Sequence, residues 1–117
     1  MPIDRHQAGP RMSQAVVHGN TVYLAGQVAD DASQSTAGQT RQVLAKIDAL
    51  LKAAGSDKSK LLSTNIWLTD MANFAAMNAV YAEFFTGNPP ARSTVGVAGL
   101  PKGALVEIDA VALTSSR

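Results

Sequence analysis

A guanidinium and a carboxylate lie in C-terminal segments that otherwise have the composition of buried β-strands. Arg92 follows Pro89-Pro90, which restricts the backbone leading into it, and Glu107 lies inside the run 104–113. A guanidinium held in this way presents a planar fork that matches a carboxylate with two hydrogen bonds. Two interpretations stay open: Arg92 forms a structural salt bridge with Glu107 or Asp109, or it binds an anionic ligand.

Glu107 and Asp109 form a pair of carboxylates on one face of a predicted strand, about 7 Å apart by the strand rise. Two carboxylates can divide acid and base roles when their surroundings separate their pKa values. The alternative is a pair of solvated acids on an edge strand. Leu105 and Val111 flank the pair on the same face, which weakens that alternative.

Four further residues are candidates for a site or for simple structural roles. Gly26, at the end of a predicted strand, either lets a ligand approach the backbone closely or only ends the strand. Asn78 interrupts an apolar helix face, where it is either a satisfied buried amide or a ligand contact. His18, at a hairpin turn, and Lys102, in a loop, are most simply surface residues.

Composition excludes several classes of function. The chain of 117 residues is long enough for a single domain, 1–117, and has no cysteine, so thiolate zinc sites and cysteine nucleophiles are excluded. The net charge of +1 is not concentrated in a basic stripe, so nucleic-acid binding is not supported. His6 and His18 lack the accompanying ligands of a metal site. Without a secretory signal or a membrane-spanning run, a soluble cytoplasmic protein is expected, with no membrane partner.

Hydrophobic periodicity predicts the element order β-β-α-β-α-β-β. Gly19-Asn20 is typical of a tight hairpin turn, and Thr69 or Asp70 is expected to cap the second helix. Two amphipathic helices on one face of a mixed sheet would give an α+β two-layer sandwich. The predicted segments are strands 15–18, 21–25 and 61–68, a helix from about 36 to 54, a second helix ending before 87, and strands 93–97 and 104–113.

The last predicted strand has two different faces. Its even positions, 106 to 112, carry apolar residues that suit packing under helices. Its odd positions, 105 to 113, combine apolar residues with two carboxylates, which makes that face too apolar for water and too charged for a closed core. A face of this kind is often buried against a copy of itself, so we expect an oligomer with polar groups at the subunit interface.

These segments resemble one known family. Residues 90–112, PARSTVGVAGLPKGALVEIDAVA, are similar to the C-terminal signature of the RidA (YjgF) family of small reactive-imine deaminases. The second helix of that family resembles FAAMNAVYAEFF at 74–85, and its second strand and Gly-Gln turn resemble VYLAGQV at 22–28. Its N-terminal hairpin resembles AGPRMSQAVVHGN at 8–20, less closely.

The resemblance implies a chorismate-mutase-like fold and a homotrimer with sites in the clefts between subunits. It implies hydrolysis of 2-imino acids, formed from enamines, to 2-keto acids and ammonia, with no cofactor and no metal. Arg92 matches the family arginine that clamps the substrate carboxylate, and Glu107 matches the glutamate that positions the attacking water. The resemblance also makes four residues candidates for substrate binding: Met12, Gly26, Asn78 and Thr94.

The chain also departs from the family pattern at three places. Arg11 and Met12 occupy the region where many members have a tyrosine, Ala25 stands where a serine is common, and Thr94 where a cysteine is common. These departures motivate an alternative function, a non-catalytic trimeric binding protein for a small carboxylate or a protein partner. A ribonuclease activity, also attached to this family, gains little support because the sequence has no basic groove and no suitably placed histidine pair.

Overall fold

One mixed six-stranded sheet carries two helices on one face in the computed structural model, which describes residues 1–115. The prediction of an α+β two-layer sandwich is confirmed. The sheet order is β1-β2-β3-β6-β4-β5, in which β4 and β5 are parallel and every other pair is antiparallel. The strands are β1 Ile3–His6, β2 Ala15–His18, β3 Thr21–Gln27, β4 Leu61–Leu68, β5 Ala91–Gly96 and β6 Val106–Leu113, and the helices are α1 Thr36–Ala53 and α2 Phe74–Phe84.

Strand β1 is one more strand than the sequence predicted. Its four residues, Ile3–His6, pair with β2 at the edge of the sheet, and most of their side chains are exposed. The segment has a single apolar residue, so it has no alternating pattern from which a strand could be recognised. Backbone pairing with β2, rather than burial, accounts for it.

Helix α1 follows from its cap and its apolar positions. The Ser35 hydroxyl accepts a hydrogen bond from the Gly38 N–H, which satisfies one of the free donors of the first turn. The helix ends before Gly55, whose positive φ of 80° suits a glycine. Its buried face lies on β3 and β6 and includes Val43, Leu44, Ile47, Leu50 and Leu51.

Helix α2 begins after a short 3₁₀ turn, Met71–Asn73. Asp70 caps this turn: its carboxylate accepts a hydrogen bond from the Ala72 N–H at 2.9 Å. The residue at the N-cap of α2 itself is Asn73, whose side chain makes no capping hydrogen bond. The cap predicted for the second helix at Thr69 or Asp70 is therefore wrong, because the 3₁₀ turn separates Asp70 from the start of α2. The inner face of α2 buries Met77, Val80 and Tyr81, and this packing places the helix beside the edge strand β5.

The two faces of the sheet differ as the pattern of β6 predicted. Val106, Ile108, Ala110 and Ala112 are buried under the helices, whereas the odd positions between them are half-buried on the opposite face. We call that second surface the open face. It also carries Tyr23, Val95 and Leu113, whose side chains are 49%, 47% and 41% exposed. No helix within residues 1–115 is both long and apolar enough to cross a membrane.

Candidate functional site

Arg92 lies on the helix face of the edge strand β5. It pairs across the strands with Thr64, a buried residue of β4. The Arg92 Cζ is 4.9 Å from the centroid of the Tyr81 ring and 5.6 Å from that of Phe74. The guanidinium is therefore held by two aromatic rings of α2, a contact that typically contributes about 0.5–2 kcal/mol. Two salt bridges are found within residues 1–115, Lys46–Asp30 and Lys52–Asp48, and Arg92 takes part in neither of them.

Tyr81 is itself fixed in place by β4. Its hydroxyl and the Thr64 hydroxyl share a hydrogen bond of 2.8 Å, and its ring lies 5.0 Å from that of Phe85. Burial raises the pKa of Tyr81, against the smaller opposing effects of the Thr64 hydrogen bond and the positive charge of Arg92. Tyr81 thus stays neutral at ordinary pH and supports the guanidinium through its ring.

A cavity of about 330 Å³ opens beside Arg92. Asn78 and Tyr81 line it from α2, Phe85 follows that helix, and Pro90 lies where the chain enters β5. Arg92 is the one charged residue in this lining, so the cavity has an apolar wall and one cationic end. Such an arrangement suits a small ligand that carries a carboxylate.

Thr94 lies two residues beyond Arg92 on the same face of β5. Its hydroxyl oxygen is buried and has no hydrogen-bond partner among the residues that the structure describes. An unpaired buried hydroxyl costs about 1–3 kcal/mol. Thr94 is not among the residues that line the cavity beside Arg92.

Glu107 lies on the open face, on the other side of the sheet. It pairs across the strands with Trp67 of β4, and its half-buried side chain lies against the backbone of Gly26 in β3. Burial, and to a smaller extent repulsion by Asp109, raises the pKa of Glu107 above its usual range. Glu107 is therefore a better proton acceptor than an ordinary solvated glutamate.

The two carboxylates of β6 differ in their partners. Asp109 accepts a hydrogen bond from the backbone N–H of Asn65 at 3.0 Å and another from its side-chain amide at 3.5 Å. Glu107 has no hydrogen-bond partner within the described part of the chain. Asp109 is held by β4, and Glu107 is the acid that is free to act on a ligand.

Arg92 and Glu107 do not meet within one chain. Arg92 shares its face with Thr64 and Ala110, which lie under the helices, and Glu107 points to the opposite face. The hypothesis of an internal salt bridge between Arg92 and Glu107 or Asp109 is therefore wrong. One chain carries two candidate half-sites, the Arg92 side and the Glu107 side.

The other predicted binding residues divide between these half-sites, with one exception. Asn78 and Thr94 belong to the Arg92 side, and Gly26 belongs to the Glu107 side. Met12 lies in the connection between β1 and β2, is 49% exposed, and is not among the residues that line the cavity beside Arg92. Phe74 and Tyr81 were missed, because their spacing on α2 is that of ordinary core residues.

Comparison with known proteins decides the family. A family model described as endoribonuclease L-PSP matches residues 3–114. The chain belongs to this family, which includes the RidA and YjgF proteins. A crystal structure of a YjgF family member from Neisseria meningitidis superposes with a TM-score of 0.94 and 35% identity, over 100% of this chain and 98% of that one.

Relatives within the family have different names. The human 2-iminobutanoate/2-iminopropanoate deaminase is 38% identical over 107 residues, which is 86% of this chain and 78% of the human protein. A Lactococcus lactis protein with the name "Putative regulator AldR" is 39% identical over 114 residues, or 92% of this chain and 90% of that protein. Similarity of this degree is thus shared by proteins named for catalysis and for regulation.

Proposed function

We propose that this protein is a cofactor-independent deaminase that hydrolyses 2-imino acids of the 2-iminopropanoate and 2-iminobutanoate type to 2-keto acids and ammonia. The observation that carries the proposal is the cavity with an apolar wall and a single cation, Arg92, which has no carboxylate partner among residues 1–115. The name of the human relative supports the choice of substrate class.

The active site is proposed to lie between two chains of a homotrimer. Arg92 and Glu107 lie on opposite faces of one sheet, so a site that uses both requires the Arg92 side of one chain and the Glu107 side of a neighbour. The apolar side chains of the open face, among them Tyr23 and Val95, favour burial against such a neighbour.

On the Arg92 side, the proposed roles are binding and orientation. The guanidinium holds the substrate carboxylate with two parallel hydrogen bonds, and the rings of Phe74 and Tyr81 hold the guanidinium. The Asn78 amide, which lines the cavity, offers a further hydrogen bond to the substrate. Fixing an already electrophilic imine in this way supplies part of the acceleration through proximity.

On the Glu107 side, the proposed role is proton transfer. The Glu107 carboxylate takes a proton from water as the water oxygen bonds to the carbon of the protonated imine. Glu107 then returns this proton to the nitrogen of the carbinolamine. The regenerated carboxylate removes the hydroxyl proton as the C=O bond forms and the C–N bond breaks, and it passes that proton to the departing ammonia. Water and the protonated imine thus give a keto acid and ammonium, and Glu107 returns to its starting state.

Ribonuclease activity, which the family description names, finds little support in the side chains of this chain. His6 pairs with Ala15 and so lies on the helix face, whereas His18 lies on the open face. One chain therefore does not bring two histidines together for acid–base cleavage of RNA. The net charge of +1 also gives no strong attraction to a polyanion.

A binding protein without turnover is the second candidate function. The name of the Lactococcus relative favours it, and so do the departures from the family pattern at Arg11, Ala25 and Thr94. It predicts that 2-keto acids raise the melting temperature through Arg92 while imines are not consumed any faster. Turnover measured beside thermal stabilisation separates the two functions.

The deaminase is tested by generating 2-iminopropanoate in situ and following the loss of the imine signal. We expect faster loss with the protein than without it, and no acceleration with Arg92→Ala, because this change removes the anchor of the carboxylate. Arg41→Ala removes an exposed cation from α1 and serves as the matched control. Equal rates with and without protein across a panel of imino acids would contradict the proposal.

A further inference from the structure

The Glu107 side chain lies against an irregular part of strand β3. The register between β3 and β6 shifts between Leu24 and Gln27, so Ala25 and Gly26 lie outside the regular ladder. Gly26 is the residue of this irregular segment that lies against Glu107. Bulges of this kind often re-aim or accommodate a neighbouring side chain.

Because Gly26 has no side chain, the Glu107 carboxyl group occupies the space where a Cβ atom at position 26 would lie. A Cβ atom built on Gly26 would lie 2.8 Å from Glu107 Cδ and 3.1 Å from its Cγ, and closer still to Oε2. Real Cβ atoms essentially never approach heavy atoms within 3.0 Å. Any other residue at position 26 would therefore displace the carboxylate.

The backbone conformation does not by itself require glycine at this position. Positive φ angles among the described glycines are found at Gly19, Gly55 and Gly103, and Gly26 is not one of them. The reason for a glycine here is close approach rather than an unusual backbone angle.

No hydrogen bond replaces this contact in fixing Glu107. Asn65 holds Asp109 with two hydrogen bonds, but no described residue donates one to the Glu107 carboxylate. Packing against the bare backbone of Gly26 is therefore what defines where the carboxylate lies.

We propose that Gly26 is a positioning residue, which holds the Glu107 carboxylate in a partly desolvated place by having no side chain. The catalytic part of this inference rests on the proposed deaminase function. The structural part, that Gly26 sets the place and the solvation of Glu107, does not.

Few other charges face Glu107, which makes its titration a usable readout. On the open face, β6 contributes Asp109, β3 contributes Tyr23, and the neighbouring β4 residues have no titratable group. His18 on β2 and Arg5 on β1 share this face but lie two and three strands away from β6. In the proposed trimer, Arg92 of a neighbouring subunit also faces it. None of these groups is altered by a change at Gly26, so a change in the pKa of Glu107 reports its place and solvation.

The test is Gly26→Ala, with Gly99→Ala as the control because no atom lies within 4 Å of a Cβ built there. Carbon-detected NMR titration should show the pKa of Glu107 falling towards its ordinary value in Gly26→Ala, and unchanged in the control. In the imine assay we expect kcat to fall about tenfold or more, with KM changed less than about threefold because the Arg92 clamp is intact. When Gly26→Ala is combined with Glu107→Gln, the double variant should have the same kcat as Glu107→Gln alone.

Three results would overturn the proposal: an unchanged pKa of Glu107 in Gly26→Ala, an unchanged kcat, or an independent loss of kcat in the Glu107→Gln background. If Gly26→Ala does not fold, Gly26→Ala/Glu107→Asp becomes the decisive variant, because the shorter acid relieves the clash. Its folding supports the proposal, and its failure to fold contradicts it. A falling pKa in a protein without imine turnover would contradict the deaminase function and leave the role of Gly26 standing.

Discussion

At the scale of single residues, two charged side chains of the candidate site are held by uncharged neighbours. Arg92 lies against two aromatic rings, and Glu107 lies against a glycine. Neither charge is neutralised by a partner in the part of the chain that the structure describes. Charged groups held in this way can bind a ligand, whereas an ion pair within the chain would already satisfy both charges.

Tyr81 should affect substrate binding more than turnover. We expect Tyr81→Leu to raise KM about 3- to 30-fold, because it removes the ring that holds Arg92 at 4.9 Å. Tyr81→Phe keeps the ring and should leave KM nearly unchanged, while the unpaired Thr64 hydroxyl lowers the stability by about 1 kcal/mol. Phe84→Leu, which removes another α2 ring that lies over Lys58, is the control for kinetics. An equal effect of all three changes on KM would contradict this role.

Glu107 should set the acidic limb of the pH–rate profile. Glu107 must be deprotonated to accept a proton from water, and burial raises its pKa above 4.5, so the rate should fall on acidification at a higher pH than for an ordinary glutamate. Glu107→Gln should lower kcat about 100-fold or more and abolish this limb. Asp109→Asn should retain the limb. A limb that persists in Glu107→Gln would assign the proton transfer to another group.

The sequence indicated candidate site residues but not how they are arranged. The strand pattern predicted that Glu107 and Asp109 share the open face, and this is confirmed. The face occupied by Arg92 depends on its register against β4, which lies between β5 and β6, and no local pattern encodes that register. The proposed role of Gly26 could not be predicted from the sequence either, because a glycine at this position usually indicates only the end of a strand.

At the scale of elements, strong local signals were reliable and weak ones were not. Strand β4 has the predicted bounds, Leu61–Leu68, and α1 ends one residue before the predicted limit. Strand β1 was missed because an edge strand with exposed side chains leaves no hydrophobic pattern. Apolar periodicity therefore predicted the layer that is packed under the helices, and backbone pairing alone added the outer strand.

The N-terminal cap of α1 offers a test of element stability. We expect Ser35→Ala to lower the free energy of unfolding by about 1 kcal/mol, because the Gly38 N–H loses its acceptor. Ser35→Asp keeps an acceptor and places a negative charge at a helix start whose first turn has no acidic residue, so it should be neutral or stabilising. Denaturant unfolding of the wild type, Ser35→Ala and Ser35→Asp measures the free energy of unfolding. An equal loss of this free energy in both variants would exclude the capping role of Ser35.

At the scale of the whole molecule, the open face predicts assembly. Light scattering should give about three times the 12.2 kDa mass of one chain. Val95→Asp should dissociate the assembly and abolish deaminase activity without unfolding the chain, because it places a charge in the apolar open face. Ala45→Asp puts the same charge on the exposed side of α1 and should change neither. A monomeric wild-type protein with full activity would contradict the assembly.

Complementation between inactive chains tests directly whether Arg92 and Glu107 act together across a subunit interface. Arg92→Ala and Glu107→Gln are each expected to be inactive alone. Unfolded together in equal amounts and refolded as mixed trimers, they should regain roughly a quarter of the wild-type activity, because a quarter of the interfaces then join an intact Arg92 to an intact Glu107 of the neighbouring chain. No regain of activity in mixed trimers that have formed would show that the two groups do not act across a subunit interface.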